Sequence, residues 1–351
     1  MSVKSVAILG ANSQVGAEAA LYLSRIRKVD VHCIIRSEHS SILFRKLDIP
    51  FHVVGDMDHE GLRKIFKQCQ RVVDFRYPSG KVVDIRRNIG LYIRTALSMM
   101  EPGTSYIYMS SIMAYGMPAD SQAVRLFRIP RNTYSFLKRK AEKEVFSFGK
   151  KRGVFVSVFR LGQVHGAIQA VSKEFRSKLS ADRVCSNGSV ESLANTVFAH
   201  EVGDAIVDSD MDKIQNRTVT LVSRPQWTLA MLHGWYQKMY GGSAILDYKG
   251  SVSRLKKGPL AWRLFSSSRD LLETYLLLPL PFEMSVIKGW YRVKSVKVDL
   301  LQDPADQVPE LFHLLGASPD SEGNNLDSTV EKVAENQQKI ADLLRFYGKE
   351  K

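Results

Sequence analysis

The first 165 residues alternate short apolar runs with amphipathic segments of helical spacing. Residues 3–9 (VKSVAIL) form a β-branched apolar run, and residues 17–26 (AEAALYLSRI) follow with apolar positions at helical spacing. Further strand patterns lie at residues 29–36, 51–56, 71–75, 105–111 and 154–162, and helix patterns at residues 62–70, 85–99 and from Tyr134 onwards. Strands alternating with helices of this length predict a parallel sheet with helices on both faces. The predicted fold class is therefore α/β, with a doubly wound parallel sheet.

The alternation weakens after about residue 166, although residues 216–223 predict another strand and residues 228–241 a helix ending at a glycine. We expect a Rossmann-type domain at residues 1–165, with returning segments near residues 195–225. Residues 166–194 and 226–315 would form a smaller, substrate-binding lobe. Residues 316–329 have linker composition, and residues 330–347 predict a terminal helix for docking or pairing. The apolar face of that helix comprises Val330, Val333, Gln337, Ile340 and Leu344.

Composition narrows the range of partners. The chain has 351 residues, 44% hydrophobic and 25% charged, which is typical of a globular protein, and no apolar run is long enough to predict a membrane span. The N-terminal segment passes directly into a strand pattern, so we expect a cytoplasmic location. The three cysteines are widely spaced, and we expect no metal site. A net charge of +14 indicates an anionic partner. No nucleic-acid-reading motif accompanies that charge, so we expect no nucleic acid.

A glycine turn joins the first strand to the first helix. Gly10 and Gly16 bracket it, at the position where a nucleotide pyrophosphate contacts backbone N–H groups at a helix N-terminus. The middle position is Ser13 rather than glycine, and such a turn also arises for purely geometric reasons. The second strand ends at Arg36, where an acidic residue would accept the ribose hydroxyls of NAD. A guanidinium pairs instead with a 2′-phosphate, which favours NADP over NAD.

Four segments in order resemble the extended short-chain dehydrogenase/reductases, the NAD-dependent epimerase/dehydratase family. They are GANSQVG at residues 10–16, GDMDHEGLRKIF at 55–66, YIYMSSIMAYG at 106–116, and Tyr134-x-x-x-Lys138 followed by RLGQVHG at 160–166. The resemblance covers roughly residues 3–240. It implies NADP or NAD as the cofactor, bound by Gly10, Asn12, Ser13, Gln14, Val15, Gly16, Arg36, Asp56, Met57 and Arg76, together with Tyr134 and Lys138.

The same resemblance implies a reaction centre of Ser111, Tyr134 and Lys138. Tyrosine, with an unperturbed pKa near ~10, is a poor base at neutral pH. A lysine one helical turn away lies on the same face, and its ammonium, together with a cationic nicotinamide ring, favours the phenolate. Tyr134 would then exchange a proton with a substrate hydroxyl or carbonyl, and Ser111 would hydrogen-bond the same oxygen. Taken alone, a tyrosine and a lysine four residues apart are more typical of a solvated helix than of a catalytic pair.

Departures from the family pattern narrow the reaction. Members that remove water carry an Asp-Glu pair just after the serine, whereas this chain has Ile112 and Met113. Dehydration is therefore disfavoured, and redox chemistry or epimerisation is expected.

Other departures concern the pocket. Arg76 and Tyr77 replace the small residues usual after the fourth strand, so either Arg76 contacts a phosphate or the loop follows a different path. His165 replaces a common tyrosine, either lining the substrate pocket or serving as a structural histidine. We assign Ser110, next to Ser111, to the substrate as well.

The substrate is expected to be a small anionic molecule, and a nucleotide sugar suits both the family and the charge. The alternative is a lipid-like or sterol-like substrate at a membrane surface, because residues 249–297 carry ten Lys/Arg against three Asp/Glu. That region also contains Trp262, Phe265, Phe282, Trp290 and Tyr291, which core packing explains equally well. A non-catalytic NADP-binding redox sensor is the alternative from another class. The family often pairs through helices, so a homodimer is a further expectation.

Overall fold

The structure is a computed structural model, and it describes residues 3–55, 58–78, 80, 82–115, 133–179, 183–185, 194–223, 227–242, 245–247 and 326–349. The basic region at residues 249–297 and the part of the predicted linker before residue 326 lie outside the described residues. In the described ranges, no helix is both long enough and apolar enough to cross a bilayer.

Seven parallel strands form the central sheet, in the order β10-β6-β5-β4-β1-β2-β3. Two small sheets pair β7 with β9 and β8 with β11. The strands are β1 (Ser5–Leu9), β2 (Asp30–Ile35), β3 (Phe51–Val53), β4 (Arg71–Asp74), β5 (Ser105–Ser111), β6 (Phe155–Leu161), β7 (Gln163–His165), β8 (Arg183–Cys185), β9 (Thr196–Phe198), β10 (Arg217–Leu221) and β11 (Ile245–Asp247). The predicted fold class is confirmed.

Helices cover both faces of this sheet. They are α1 (Gln14–Leu21), α2 (Ile42–Lys46), α3 (His59–Phe66), α4 (Val82–Ser98), α5 (Thr133–Arg152), α6 (Ala170–Lys178), α7 (Ala199–Asp208), α8 (Met211–Ile214), α9 (Leu229–Tyr240) and α10 (Leu326–Lys349). Strand alternation divides the core into two layers. Val6 and Ile8 pack with α1 and α7 on one face, while Ala7 and Leu9 pack with α3, α4 and α5 on the other.

The strand order places a switch point beside β1. From β1 the chain builds outward to β2 and β3 on one side, and then crosses back to β4 on the other side. Ligands of doubly wound sheets bind outside the carboxyl ends of the strands at such a point. The turn after β1 and the segment after β4 therefore flank the expected binding crevice.

The C-terminal helix docks onto the rest of the chain. It begins at Leu326, inside the segment for which we expected a linker, and ends at Lys349. Val333 and Ile340 are buried, and Gln337 Nε2 lies 3.1 Å from His200 Nδ1 on α7. Of the two roles expected for this helix, the structure has it docked within its own chain.

Candidate functional site

A pocket of about 280 Å³ opens at the switch point. Its walls come from the glycine turn, the end of β2 and the segment after β4, and they include Gly10, Asn12, Ser13, Arg36, Arg76 and Tyr77. The sequence-predicted cofactor residues Asp56 and Met57 lie outside the described residues. The side chain of Arg36 is exposed at the pocket, directly after β2.

The two glycines of the turn are required by the local packing. Gly10 has φ +69°, a left-handed conformation that favours glycine, and a Cβ there would lie 2.9 Å from Arg76 Cγ. A Cβ on Gly16 would lie 2.8 Å from Ser13 Oγ and 2.9 Å from the carbonyl oxygen of Gly10. Gly10 therefore allows the segment after β4 to approach the turn closely, and Gly16 allows α1 to begin close to the end of β1.

Ser13, which replaces the usual middle glycine, caps α1. Its Oγ accepts a hydrogen bond from the Gly16 N–H at 3.1 Å, and its carbonyl accepts from Ala17 N–H. Among the described residues, no group accepts from the N–H groups of Gln14 and Val15. Two unpaired donors at a helix N-terminus fit an anion such as a pyrophosphate. The turn therefore fits the phosphates of a nicotinamide dinucleotide.

Arg76 is held by Asp74 at the end of β4. Its guanidinium donates to Asp74 Oδ2 at 2.7 Å and to the Tyr92 carbonyl at 3.0 Å, and it stacks over the Tyr92 ring. Asp74 is buried and also accepts from the Tyr106 hydroxyl at 2.7 Å. Arg76 thus lines the pocket while its guanidinium is paired with Asp74, and its contact with a phosphate stays a prediction.

Ser111, Tyr134 and Lys138 meet at the carboxyl end of β5. The side chains of Tyr134 and Ser111 are joined by a hydrogen bond, and Ser111 Oγ also accepts from Met113 N–H at 3.2 Å. Lys138 Nζ lies 5.9 Å from the centroid of the Tyr134 ring and donates to the Met109 carbonyl at 2.9 Å. The three predicted catalytic residues are thus adjacent.

Burial dominates the titration of both key groups. It raises the pKa of Tyr134 above its ordinary value of 10.0, against the opposing effect of the Ser111 hydrogen bond. It also lowers the pKa of Lys138 to about 8, against the attraction of Asp74 and Glu142. In the protein chain itself, desolvation of the phenolate thus sets the direction of the Tyr134 pKa shift. The lowering expected from the lysine ammonium together with a cationic nicotinamide ring stays a prediction.

Tyr77 lies between the pocket and Tyr134. It lines the pocket, and its ring centroid is 5.2 Å from that of Tyr134. Lys138 Nζ is 5.0 Å from the ring centroids of both Tyr77 and Tyr108. An ammonium between two aromatic faces is stabilised by cation–π attraction. The bulk of Tyr77 is evident from the sequence, but its contact with Lys138 is not.

Ser110 lies apart from this centre. It is buried, and its Oγ donates to Glu142 Oε1 at 2.5 Å. Glu142 also accepts from Arg160 at 2.9 and 2.6 Å. Ser110 and Ser111 thus both contact α5, but through different partners, Glu142 for Ser110 and Tyr134 for Ser111. The structure gives Ser110 this buried contact, and its contact with the substrate stays a prediction.

His165 is fully buried among aromatic rings rather than exposed in a pocket. Its Nδ1 lies 2.8 Å from the Tyr236 hydroxyl, and the rings of Phe175 and Phe198 pack beside it. Burial lowers the pKa of His165 to about 4. Of the two sequence alternatives, the structural role is the one that these contacts support.

Three residues that surround Lys138 were not predicted, although the pattern of buried positions along the sequence could have indicated them. Glu142 lies four residues after Lys138, so it continues the Tyr134 and Lys138 face of α5 into the core. Asp74 ends an apolar strand, and Tyr108 alternates with Met109 in β5. A charged residue on a buried stripe is the signal that indicates a paired group.

Comparisons with known proteins agree with this geometry. A model of the NAD dependent epimerase/dehydratase family matches residues 6–194. No curated protein matches the sequence.

Solved structures of low identity share the fold. UDP-glucuronic acid 4-epimerase from Bacillus cereus, in complex with UDP-glucuronic acid and NAD, is 14% identical over 70% of this chain and 85% of that chain, with a TM-score of 0.54. UDP-N-acetylglucosamine 4-epimerase from Bacillus cereus is 13% identical over 70% and 85%, with a TM-score of 0.54. dTDP-glucose 4,6-dehydratase from Bacillus anthracis, in complex with NAD, is 14% identical over 70% and 83%, with a TM-score of 0.53. Since the family model spans more than half of the sequence, the chain belongs to the NAD dependent epimerase/dehydratase family.

Proposed function

We propose that the protein is a nicotinamide-dependent oxidoreductase or epimerase that acts on a hydroxyl or carbonyl carbon. One observation carries the proposal: the Tyr134 phenol, hydrogen-bonded to Ser111 and next to Lys138, lies at the carboxyl edge of the sheet that also forms the pocket. Purely structural packing does not require these three groups to meet at that edge.

The chain's own groups would handle the proton. Tyr134 would exchange it with the substrate oxygen, while Ser111 hydrogen-bonds the same oxygen and holds it near the phenol. Lys138 would stabilise the phenolate as it forms, because its ammonium lies on the same helix face. A bound nicotinamide would supply or accept the hydride.

Arg36 and the turn bear on the choice of cofactor and substrate. The exposed guanidinium at the end of β2 favours NADP over NAD, since it can pair with a 2′-phosphate. We propose a nucleotide sugar as the substrate, in keeping with the ligand of the Bacillus cereus epimerase and with the net charge of +14. Dehydration is disfavoured because Ile112 and Met113 offer no acid or base after Ser111.

Replacement of the reactive phenol tests the proposal. Tyr134→Phe keeps the ring packed against Tyr77 but removes the hydroxyl, so turnover should fall by at least ~100-fold, since acid–base groups contribute that much. Binding of NADPH, followed by its fluorescence, should persist. Tyr22→Phe is the matched control: it removes a hydroxyl that donates to Asp204 and does not line the pocket, so the turnover of the folded variant should be unchanged.

Turnover would be measured on a panel of nucleotide sugars by nicotinamide absorbance, and by product analysis for epimerisation. Full activity of Tyr134→Phe would overturn the proton-transfer role. Binding of NADPH without turnover of any substrate, lipid-like alcohols included, would favour the redox-sensor alternative.

A further inference from the structure

Helix α1 is hydrogen-bonded to the segment that begins α6. Glu18, fully buried, accepts from Ala167 N–H at 2.7 Å, from Ile168 N–H at 3.2 Å and from Gln169 Nε2 at 2.9 Å. One turn earlier, Gln14 accepts from Gln169 Nε2 at its carbonyl and from Ala170 N–H at its Oε1, both at 3.0 Å. We call these contacts of Gln14 and Glu18 with residues 167–170 the α1–α6 clamp.

The surroundings fit the clamp closely. A Cβ on Gly166 would overlap the Glu18 carboxylate, so the backbone there approaches as near as it can. Arg176 of α6 donates to the Ala167 carbonyl at 3.0 Å, which holds the same loop from its other side. A buried carboxylate with three donors is costly to leave unpaired, so the clamp forms or breaks as a unit.

Gln14 faces two ways. Its N–H is one of the two donors without an acceptor among the described residues, at the helix end that fits a pyrophosphate, whereas its carbonyl and side chain hold α6. Helix ends fray, so an anion on the first turn of α1 would reduce that motion. The acceptors of Gln14 and Glu18 would then be ordered before residues 167–170 bind to them. Ordering of residues 167–170 would therefore cost less conformational entropy with the anion bound than without it.

We propose that Gln14 and Glu18 are positioning residues that transmit occupation of the phosphate site on α1 to α6, at the start of the predicted substrate lobe. The proposal rests on the proposed function in taking a nicotinamide dinucleotide as the ligand. Cofactor binding and substrate binding would then reinforce each other through hydrogen bonds that touch neither reactant.

Hydrogen exchange of the full chain tests this coupling, with NADPH, NADH and inorganic pyrophosphate as probes. In the wild-type protein, NADPH should slow exchange of the amides in residues 166–178 by ~5-fold or more, the lower range of measured couplings. Glu18→Gln should speed their exchange ~10-fold without ligand, because hydrogen bonds to a buried carboxylate are lost. Gln14→Ala should speed it less, by about 2- to 5-fold, because the acceptor that it removes is neutral and exposed. Both variants should lose the response to NADPH. The part of Gln14 that faces the phosphate site is its backbone N–H, which alanine keeps, so NADPH should still bind, although with reduced affinity.

Matched exchanges at exposed positions on α3 and after it, Glu60→Gln and Gln68→Ala, should retain the wild-type response. Gln14 is itself exposed, so its variant should fold even if Glu18→Gln does not. A kinetic readout adds to this. In both clamp variants the substrate KM should rise more than kcat falls, which a general loss of stability would not produce.

The outcomes separate the two proposals. Bound NADPH that leaves residues 166–178 unchanged, or a full response in both variants, would overturn the coupling. A wild-type protein that shows the coupling but converts no substrate would overturn the proposed function and leave the coupling standing. If neither nucleotide nor pyrophosphate binds, both proposals fail.

Discussion

Single buried side chains set the chemistry of the candidate site. Lys138 is 4% exposed, and its ammonium is balanced by two aromatic faces, one carbonyl and the nearby carboxylates of Asp74 and Glu142. The same burial that lowers its pKa raises that of Tyr134, because each group loses water around its charged form. Burial therefore favours a neutral Tyr134 phenol next to a Lys138 ammonium that loses its proton more readily than usual.

Histidine burial predicts a pH-dependent stability. The folded protein holds the pKa of His165 at about 4, below its ordinary value of 6.5. Between these values the unfolded chain binds a proton that the folded chain does not, so stability rises with pH there and is lost as pH falls from about 6.5 toward 4. We expect this residue to account for ~2 kcal/mol of the loss between about pH 8 and about pH 5.

Urea unfolding at the two pH values measures this loss in wild-type protein and in His165→Phe. The phenylalanine cannot titrate and suits the surrounding rings, so its stability should fall less on acidification, although loss of the Tyr236 contact lowers stability at every pH. Exposed His39→Gln is the control and should keep the wild-type dependence. Equal pH dependence in wild type and His165→Phe would contradict the assignment.

For single residues, the sequence indicated those that lie in linear motifs but not the contacts between distant segments. Ser111, Tyr134 and Lys138 lie in short linear motifs, so the order and spacing of residues along the chain were enough to name them. The contact of Ser110 with Glu142 was not foreseen, because its partner lies 32 residues away in another element. The partners of Glu18 lie about 150 residues away, and no periodicity in one helix indicates them.

Helix α5 carries the reactive pair, and its position depends on one glycine. Gly149 faces Val156 of β6, and a Cβ at residue 149 would overlap that buried side chain. Gly90 in α4 differs: a Cβ there would lie 3.4 Å from the flexible end of the Arg94 side chain, which can move away. The absence of a side chain at residue 149 thus allows α5 to approach the sheet closely.

Gly149→Ala should lower the free energy of unfolding by ~1–3 kcal/mol, as overpacking does, despite the better helix propensity of alanine. Gly90→Ala, the matched control, should be neutral or stabilising by up to ~1 kcal/mol. Denaturant titration gives both values. In the double variant Gly149→Ala/Val156→Ala the overlap is removed, so the loss of unfolding free energy should be smaller than the sum of the losses in the two single variants. Losses that simply add would argue against this packing.

Elements were predicted well where apolar periodicity decides them and less well at their ends. The predicted β5 at residues 105–111 agrees with Ser105–Ser111, because a buried strand in the centre of a sheet is apolar throughout. The predicted helix at residues 62–70 instead spans His59–Phe66, because the Asp58 side chain caps it by accepting from Gly61 N–H at 2.9 Å. Caps are polar, and apolar spacing does not register them.

For the whole molecule, the C-terminal helix joins two parts of the core. Ile340 belongs to the cluster on one face of the large sheet, and Val333 belongs to a separate aromatic cluster with Trp227, Trp235 and Tyr236. A helix that reaches both clusters should hold them in one cooperative unit. From its sequence alone the docking surface could not be named, since the partner residues come from α7 and α9.

Removal of the Ile340 side chain beyond Cβ tests this role. Ile340 is 0% exposed, so Ile340→Ala should lower the free energy of unfolding by ~2–5 kcal/mol, through lost burial and the cavity left behind. Lys339→Ala, one residue away and exposed, should change it by no more than ~0.5 kcal/mol. Far-ultraviolet circular dichroism and tryptophan fluorescence should report the same midpoint in each variant. An unchanged midpoint for Ile340→Ala would mean that α10 docks without stabilising the sheet. Separate transitions for the two probes would mean that the two clusters unfold independently.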